Sequence, residues 1–410
     1  MTKKLLIALL TLIAGVEADG KNAIYDAKVK TLQTVVNQDW LSPPVMRLGT
    51  DDVLNVSFDE LSHTYHRYIY QLEHCEADWS PSESLFESDW LEGFNGNPIE
   101  DYSNSLNTTV LYTHYQLQIP NSQCRLKMSG NYRLHIVDDE KQEELACVEF
   151  MVTDQTMSLF MEASTNTDSD HNISHQQLSI NLNYNNYVVT NPEEQIRIVV
   201  RQNDREDNSR LHVSPSFIHA NGLKWQHHQQ LIFDAGNEYH KYEVLDPSHP
   251  TMGIDHIDWD GEQYQVYPFI NEPRPHYIYD EDADGAFYIH NSDNRENDTA
   301  SEYLWVNYRL KAPQLPLGRI TIQGMWTTEA PETYLMSYDE TERLYTASIL
   351  QKQGYYSYQY LWQDDDGHLQ ILPSEGNFYQ TENRYQAYIY YKGTGERTWR
   401  LVSYRQLIFK

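Results

Sequence analysis

The feature that most constrains the fold is an alternation of apolar and polar residues that recurs along almost the whole chain. Runs of roughly four to thirteen residues, rich in Val, Ile, Tyr and Leu, are separated by clusters of Asn, Asp, Gly and Pro. Such runs are typical of β-strands and such clusters of turns. In Ala146-Cys-Val-Glu-Phe-Met-Val152, the alternation places Val148, Phe150 and Val152 on one face and Cys147 on the other. The pattern predicts an all-β protein.

Grouping the strand-like runs predicts three tandem antiparallel β-sandwich domains. Seven runs fit an immunoglobulin-like sandwich at residues 19–155, and a similar set fits a second sandwich at residues 156–275. Residues 276–301 are predicted to form a hairpin that turns at Asp284-Gly285, followed by a polar linker. Residues 302–410 contain the runs of the third domain. The three sets share strand spacing but no alignable motif, so they are not sequence repeats.

The third set of runs resembles the early-set sandwich modules found in glycogen-binding proteins. The resemblance rests on Trp326, which follows Ile322-Gln-Gly324, and on Gly354-Tyr-Tyr-Ser-Tyr-Gln-Tyr360. Two interpretations stay open. These aromatic side chains are either exposed to bind a glycan or packed in the core of a sandwich.

The first residues carry the pattern of a secretory signal peptide. Met1-Thr-Lys-Lys4 is positive, Leu5 to Val16 is apolar, and Val16-Glu-Ala18 offers small side chains for cleavage. We expect cleavage after Ala18, which removes residues 1–18 and exports the mature chain. The apolar run is shorter than the roughly 20 residues of a membrane helix, and no other stretch approaches that length. We therefore expect no direct membrane insertion.

The composition is strongly acidic, with 30 Lys and Arg against 60 Asp and Glu and a formal charge of −30. Such a surface repels the phosphates of nucleic acids, so we expect no nucleic acid partner. The chain has three cysteines, Cys75, Cys124 and Cys147. An exported protein permits a disulfide, but an odd count leaves at least one thiol over, and the spacing fixes no pairing.

Motifs of known enzyme chemistry are missing from the sequence. It contains no GxSxG and no HExxH, and His63 and His66 have no Glu general base between them. The run Asp280-Glu-Asp282-Ala-Asp284-Gly285 matches the opening of an EF-hand loop, but Asn291 stands where a bidentate Glu is needed. A calcium loop of another type and an acidic β-turn both stay open. We expect no catalytic residue, no metal ligand and no cofactor.

The segment from Glu73 to Ile136 interrupts the strand pattern for about 35 residues with aromatic, acidic and Gly residues at irregular spacing. Long loops between the strands of one domain often carry function. Ser80-Pro-Ser-Glu83 is a capping-box pattern. In a helix that started there, Phe86, Trp90 and Phe94 would share one face. A short helix and an irregular loop are both open.

Short motifs follow one another through this segment and beyond it. They are Glu73-His-Cys-Glu-Ala-Asp-Trp-Ser-Pro-Ser82, Leu91-Glu-Gly-Phe94, Ile99-Glu-Asp-Tyr-Ser103, Asn107-Thr108, Tyr112-Thr-His-Tyr-Gln-Leu117 and Ser129-Gly-Asn-Tyr-Arg-Leu134. In this order they resemble the plug protein family of the bacterial type IX secretion system. A looser likeness at Tyr303–Gln314, Gln353–Tyr360 and Thr381–Asn383 extends the resemblance over most of the mature chain.

The resemblance implies an interaction protein and not an enzyme. The family's plug binds the periplasmic mouth of a very large outer-membrane translocon barrel and keeps it shut while no substrate is leaving. We therefore expect a periplasmic protein at the inner face of the outer membrane, monomeric on its own, with that barrel as its partner. The alternative function is that of a periplasmic or surface glycan-binding β-sandwich protein. We expect four aromatic residues either to contact the partner or to order the loop: Trp79, Trp90, Phe94 and Tyr102. The alternative is that they pack in the loop's own small core.

Overall fold

The computed structural model describes residues 22–410, and the predicted signal peptide at residues 1–18 lies outside the described residues. Nearly all regular structure in this range is β, in several antiparallel sheets, so the predicted all-β class is confirmed. None of the helices between residues 22 and 410 combines the length and apolar character needed to cross a membrane. The helical segments are α1 (Glu87–Trp90), α2 (Pro192–Gln195), α3 (Asn297–Ala300) and the 3-10 turns Gln229–Leu231, Pro331–Tyr334 and Pro373–Glu375.

Ten of the first twelve strands build a sandwich of two sheets, and the other two pair with each other. The twelve strands are β1 (Ala23–Ile24), β2 (Val29–Val36), β3 (Val45–Arg47), β4 (Leu54–Glu60), β5 (Tyr68–Cys75), β6 (Leu91–Gly93), β7 (Asn97–Pro98), β8 (Asp101–Asn104), β9 (Thr113–Ile119), β10 (Cys124–Leu126), β11 (Gly130–Asp138) and β12 (Glu144–Thr153). The separate pair is β6 with β10.

One sheet has the order β1-β12-β11-β5-β7, with β3 parallel to β12, and the facing sheet has the order β2-β4-β9-β8. The core between them takes alternate residues of each strand, because successive side chains of a strand point to opposite faces. Val148, Phe150 and Val152 are buried in this core, and Cys147 lies on the other face of the sheet, as the alternation predicts.

The remaining strands form two further sets. They are β13 (Ser158–Ser164), β14 (His175–Asn183), β15 (Ile196–Gln202), β16 (Arg210–Leu211), β17 (Phe217–His219), β18 (Gly222–Trp225), β19 (Ile232–Asp234), β20 (His240–Glu243), β21 (Ile254–Trp259), β22 (Tyr264–Pro268), β23 (Phe287–Ile289), β24 (Tyr303–Leu310), β25 (Arg319–Gln323), β26 (Leu335–Asp339), β27 (Leu344–Lys352), β28 (Gly354–Gln363), β29 (Leu369–Ile371), β30 (Asn383–Tyr391) and β31 (Arg400–Phe409).

The second core lies between two sheets whose strands are far apart in sequence. One sheet has the order β13-β14-β18-β17, with β19 beside β14, and the other has the order β16-β15-β30-β31. The C-terminal strands β30 and β31 therefore close the second core and not the third. The third core is enclosed by the sheet β20-β28-β25-β26-β27-β24-β22-β21, with β23 and β29 paired to β28.

Each of the predicted second and third domains is one continuous range of sequence. The observed sheets, in contrast, pair strands from one range with strands from the other. We propose three units in which residues 383–410 belong with the second, because β30 pairs with β15 along seven residues. The predicted hairpin is wrong. Asp284 and Gly285 do form a turn with positive φ, but residues 277–283 form no strand, and β23 pairs with β28 instead.

Candidate interaction site

The excursion of the first sandwich, residues 76–112, leaves strand β5 through a tight turn at Trp79. This residue has a left-handed backbone, with φ at 64°, which is uncommon for a bulky side chain. Hydrogen bonds hold the turn, from Trp79 N–H to Glu76 O (3.0 Å) and from Ser80 Oγ to Asp78 Oδ1 (2.6 Å). The half-buried Trp79 ring packs against an apolar cluster between the first sandwich and the C-terminal strands, and Arg133 lies 6.0 Å from its centre. Trp79 is therefore an internal contact between units.

Of the two alternatives left open after Ser80, the structure has the irregular loop over residues 80–86 and not the helix. Pro81 instead makes a β-bridge to Cys75, and helix α1 begins only at Glu87 and has a single turn. Asp89 caps that turn by accepting the N–H of Phe86 at 2.8 Å. The chain continues into β6, so the face that Phe86, Trp90 and Phe94 would have shared in a longer helix is absent. Phe86 and Phe94 are 74% and 73% exposed, and Trp90 is only 7% exposed.

Trp90 belongs to the hydrophobic core of the first sandwich. Its ring lies 6.3 Å from that of His74 and 5.9 Å from that of Tyr132, with the Tyr132 ring edge-on. His74 bonds through Nδ1 to Ser82 Oγ at 2.8 Å, and burial lowers the pKa of His74 to about 4. A neutral His74 fits this apolar environment, because burial penalises the charged form. These contacts favour loop ordering over partner contact for Trp90.

A two-stranded ribbon and one asparagine fix the middle of the excursion. Strand β6 pairs with β10, and Gly93 sits there with φ at 109° and Gln123 O only 2.0 Å from where a Cβ would stand. Only glycine fits at this close approach. The Asn95 side chain hydrogen-bonds to β5 as the backbone of a neighbouring strand would, because it donates to Leu72 O and accepts from Leu72 N–H, both at 2.8 Å.

Tyr102 lies on the edge strand β8 at the far end of the excursion. Its ring is 4.5 Å from that of Tyr65 and 5.9 Å from that of Tyr115, and both Tyr102 and Tyr65 are about half exposed. Phe94 makes no ring contact with another aromatic residue in the part of the chain that the structure describes. The four residues predicted for partner contact are thus distributed among three environments and do not form one aromatic cluster.

The sequence did not show that residues in and beside the motifs also hold the C-terminal part of the chain. Glu76 accepts the N–H of Trp399 at 3.0 Å, Asp89 pairs with Arg397 at 2.8 Å, and Asn131 accepts from Tyr390 Oη at 2.8 Å. These partners lie more than 250 residues away, and no spacing in the sequence signals them. Glu76 therefore holds the backbone at Trp399, and Asp78 holds the turn at Trp79.

The cysteines are buried without disulfides in the described residues, and the acidic run has cationic partners within the protein. Cys75, Cys124 and Cys147 are all buried free thiols. In the acidic run, Asp280 pairs with Lys241 and Asp284 with Arg384, each at 2.6 Å. Protein cations therefore neutralise two carboxylates of the sequence that resembles a calcium loop. Trp326, the residue that suggested glycan binding, is 7% exposed and packs in the third core.

Three comparisons with known proteins bear on this architecture. The family model described as "Type 9 secretion system plug protein 1st domain" matches residues 29–154. The crystal structure of a hypothetical protein from Parabacteroides merdae has a TM-score of 0.92 and 34% sequence identity, and the match covers 95% of this chain and 99% of that chain. The C-terminal domain of the Streptococcus pyogenes antigen I/II-family protein AspA matches with 7% identity and a TM-score of 0.17, over 93% of this chain and 100% of that chain. That score carries no structural argument. None of the curated proteins matches the sequence.

The fold and the excursion define an all-β protein whose characteristic motifs order a long loop and tie together distant parts of the chain. The matched range contains all of these motifs, from Glu73 to Leu134. The chain belongs to the type IX secretion system plug protein family. This membership associates it with type IX secretion and with a structural, non-catalytic kind of component.

Proposed function

We propose that this protein is the periplasmic plug subunit of the type IX secretion system. It binds the periplasmic opening of the large outer-membrane translocon barrel and seals it while no substrate is exported. It acts without catalysis and without a cofactor. The observation that carries the proposal is the family match over the first sandwich, where the excursion presents Phe86 and Phe94 to solvent.

The packing between the units fits a protein that closes a wide pore. A wide barrel encloses a water-filled lumen, so whatever closes it must hold its shape against a large opening. The first sandwich is joined to the C-terminal strands by an apolar cluster that includes Met151, Tyr390 and Trp399. It is joined to the third set of strands by a buried ion pair between Asp59 and Lys352. Because of these contacts the three cores pack against one another and are not connected by linkers alone.

The exposed aromatics of the excursion suit reversible contact with a protein. Phe86 and Phe94 flank a contact between Glu87 and Asn95 (3.2 Å), and the loop beneath them is fixed by Trp90. Aromatic side chains on a rigid base give contact area at low entropic cost, and they are enriched in protein interfaces. A plug that must leave again needs a moderate interface, on the order of 1,000 Å².

Co-purification from outer membrane tests the proposal. The mature protein is expressed beside a tagged translocon barrel in the cell that makes both, and the barrel is isolated in detergent. We expect the protein to be retained with the idle barrel and to be depleted from barrels that hold a substrate in transit. Absence of the protein from both preparations would overturn the proposal.

A further inference from the structure

The outer face of the first sandwich carries three potential metal ligands at one point. They are His135 on β11 and Glu144 and Cys147 on β12, and one ligand atom from each lies within 4.8 Å of the others. His135 and Cys147 are direct cross-strand partners. His135 Nδ1 lies 2.6 Å from Glu144 Oε1. The family resemblance and the proposed function make no use of this cluster.

A β-bulge brings Glu144 into the cluster. Between Ile136 and Val137 the register shifts, so that Val137 faces Glu144 and Leu145 has no partner on β11. Leu145 and Ala146 can then both enter the core although they are adjacent in sequence. Without the bulge, Leu145 and not Glu144 would share the face of Cys147. Bulges that redirect a side chain are over-represented beside functional sites.

The surroundings provide access and an orienting group. A groove of about 500 Å³ is lined on one side by Glu73, His135 and Glu144, and on the other by residues of the excursion. Cys147 lies beside His135 on the neighbouring strand and is 5% exposed. Glu73 Oε2 lies 3.8 Å from His135 Nε2, on the side of the ring away from Glu144. A carboxylate behind a ligating imidazole is the usual arrangement that fixes its tautomer.

We propose that His135, Glu144 and Cys147 form a binding site for a divalent transition-metal ion of the zinc type. A thiolate, an imidazole and a carboxylate are the donors that Zn²⁺ takes in proteins, whereas Mg²⁺ and Ca²⁺ take oxygen ligands. Three protein ligands leave a fourth position for a water molecule from the groove. Binding releases two protons to solvent, the thiol proton of Cys147 and the Nδ1 proton that the His135 ring donates to Glu144, and the ring keeps its proton on Nε2, facing Glu73.

The site would also stabilise the sheet. It joins the two neighbouring strands β11 and β12 beyond their hydrogen bonds, beside the groove that residues of the excursion also line. A metal that binds only the folded chain stabilises it. The proposal is independent of the barrel partner, since it concerns binding of an ion to the isolated protein.

The test uses the purified mature chain, stripped with a chelator and then titrated with Zn²⁺ or Co²⁺. We expect one ion per chain, a higher unfolding temperature with Zn²⁺, and a thiolate-to-cobalt charge-transfer absorption with Co²⁺. Cys147→Ser removes that absorption, and Cys124→Ser keeps it. Glu144→Gln weakens binding about tenfold or more. The neighbouring exposed Glu143→Gln, with the same charge change, does not.

Glu144 is exposed at the start of its strand, so its variant keeps the test valid even where Cys147→Ser fails to fold. Three results would overturn the proposal: no bound ion after dialysis, a Co²⁺ spectrum without sulfur absorption, or equal weakening by Glu144→Gln and Glu143→Gln.

Discussion

Lys352 and Asp59 form an ion pair between the first sandwich and the third set of strands, with the Lys352 Nζ atom 2.6 Å from Asp59 Oδ2. Both side chains are only 1% exposed. Tyr303 Oη and His114 Nδ1 each lie 2.7 Å from the same carboxylate, and Lys352 also donates to Asp298 O at 2.6 Å. A buried charge is tolerated only when it is paired and hydrogen-bonded, and here the pairing requires both units to be in place.

Removing one partner of this pair should destabilise the protein strongly. Lys352→Met leaves the Asp59 carboxylate buried without its cation, so we expect the free energy of unfolding to fall by about 3–5 kcal/mol. The double variant Asp59→Asn/Lys352→Met should lose less than the sum of the two single variants, because neither charge is then left alone. Thermal and urea unfolding measure both effects.

The control is an exposed pair, Lys311 and Glu272, whose side chains are 58% and 67% exposed at 3.0 Å. Lys311→Met should change stability by no more than about 0.5 kcal/mol. Burial alone would raise the pKa of Asp59, but Lys352 and His114 hold that pKa below its usual range. The contribution of the pair is therefore present at neutral pH and is lost as the pH falls through the lowered pKa. Equal effects of the Lys352 and Lys311 variants would contradict this account.

Gly93 should be intolerant of any side chain, and Gly96 offers a matched control. Both have positive φ, at 109° and 77°, but a Cβ at Gly93 would stand 2.0 Å from Gln123 O, and one at Gly96 would meet nothing within 4 Å. Gly96→Ala carries only the backbone penalty of about 1 kcal/mol. Gly93→Ala should cost roughly 1–3 kcal/mol more, because β6 must move away from β10. Equal unfolding temperatures for the two variants would show that the ribbon is not tight.

The sequence predicted the strands of the first sandwich well, because alternation is a local property. The run Ala146–Val152 has its apolar face in the core, as its period of two requires. The sequence left a helix and an irregular loop open after Ser80, and the loop forms for a tertiary reason. Pro81 pairs with Cys75, and the apolar Trp90 is drawn into the core beside Tyr132. Capping patterns are weak signals when packing competes with them.

The assignment of β30 and β31 to the second core could not be predicted from the sequence. Strand β30 pairs with β15 across about 190 residues, and strand periodicity does not encode which strands are neighbours.

The sequence also could not show which aromatic residues of the candidate site are exposed. The sequence singled out Phe94 and Tyr102 as aromatic members of the motifs, but exposure is what separates them from Trp90. Phe86 entered the sequence analysis only as one member of the apolar face of a possible helix.

Asp282 should make the protein less stable at alkaline pH. Burial, reinforced by the charge of the neighbouring Asp284, raises the pKa of Asp282 to about 8. The folded protein therefore holds a proton that the unfolded chain has already lost above about pH 4. Stability from this group is complete below that pH and falls as the pH rises toward 8. Asp282→Asn removes the titrating group, so the slope of unfolding temperature against pH between about 6 and 8.5 should flatten.

The slope is the readout for Asp282, because the variant also alters the hydrogen bond that the carboxylate accepts from Asp284 N–H at 2.6 Å. Asp365→Asn, at an exposed turn, should leave the slope unchanged. An unchanged slope in Asp282→Asn would assign the pH dependence to other groups.

Trp90 and Phe94 should separate loop ordering from partner contact. Trp90→Ala removes a buried side chain from the core and should lower the free energy of unfolding by about 3–5 kcal/mol. Phe94→Ala removes an exposed ring and should change stability by no more than about 0.5 kcal/mol. If the excursion meets the barrel, Phe94→Ala nevertheless reduces co-purification, with a cost of at least about 1 kcal/mol for an interface aromatic. Phe160→Ala, at a residue on β13 that is 64% exposed against 73% for Phe94, is the control and should keep both stability and co-purification. Retention of Phe94→Ala at the level of Phe160→Ala would move the contact away from this side of the excursion, and loss of stability in Phe94→Ala would give the ring a packing role instead.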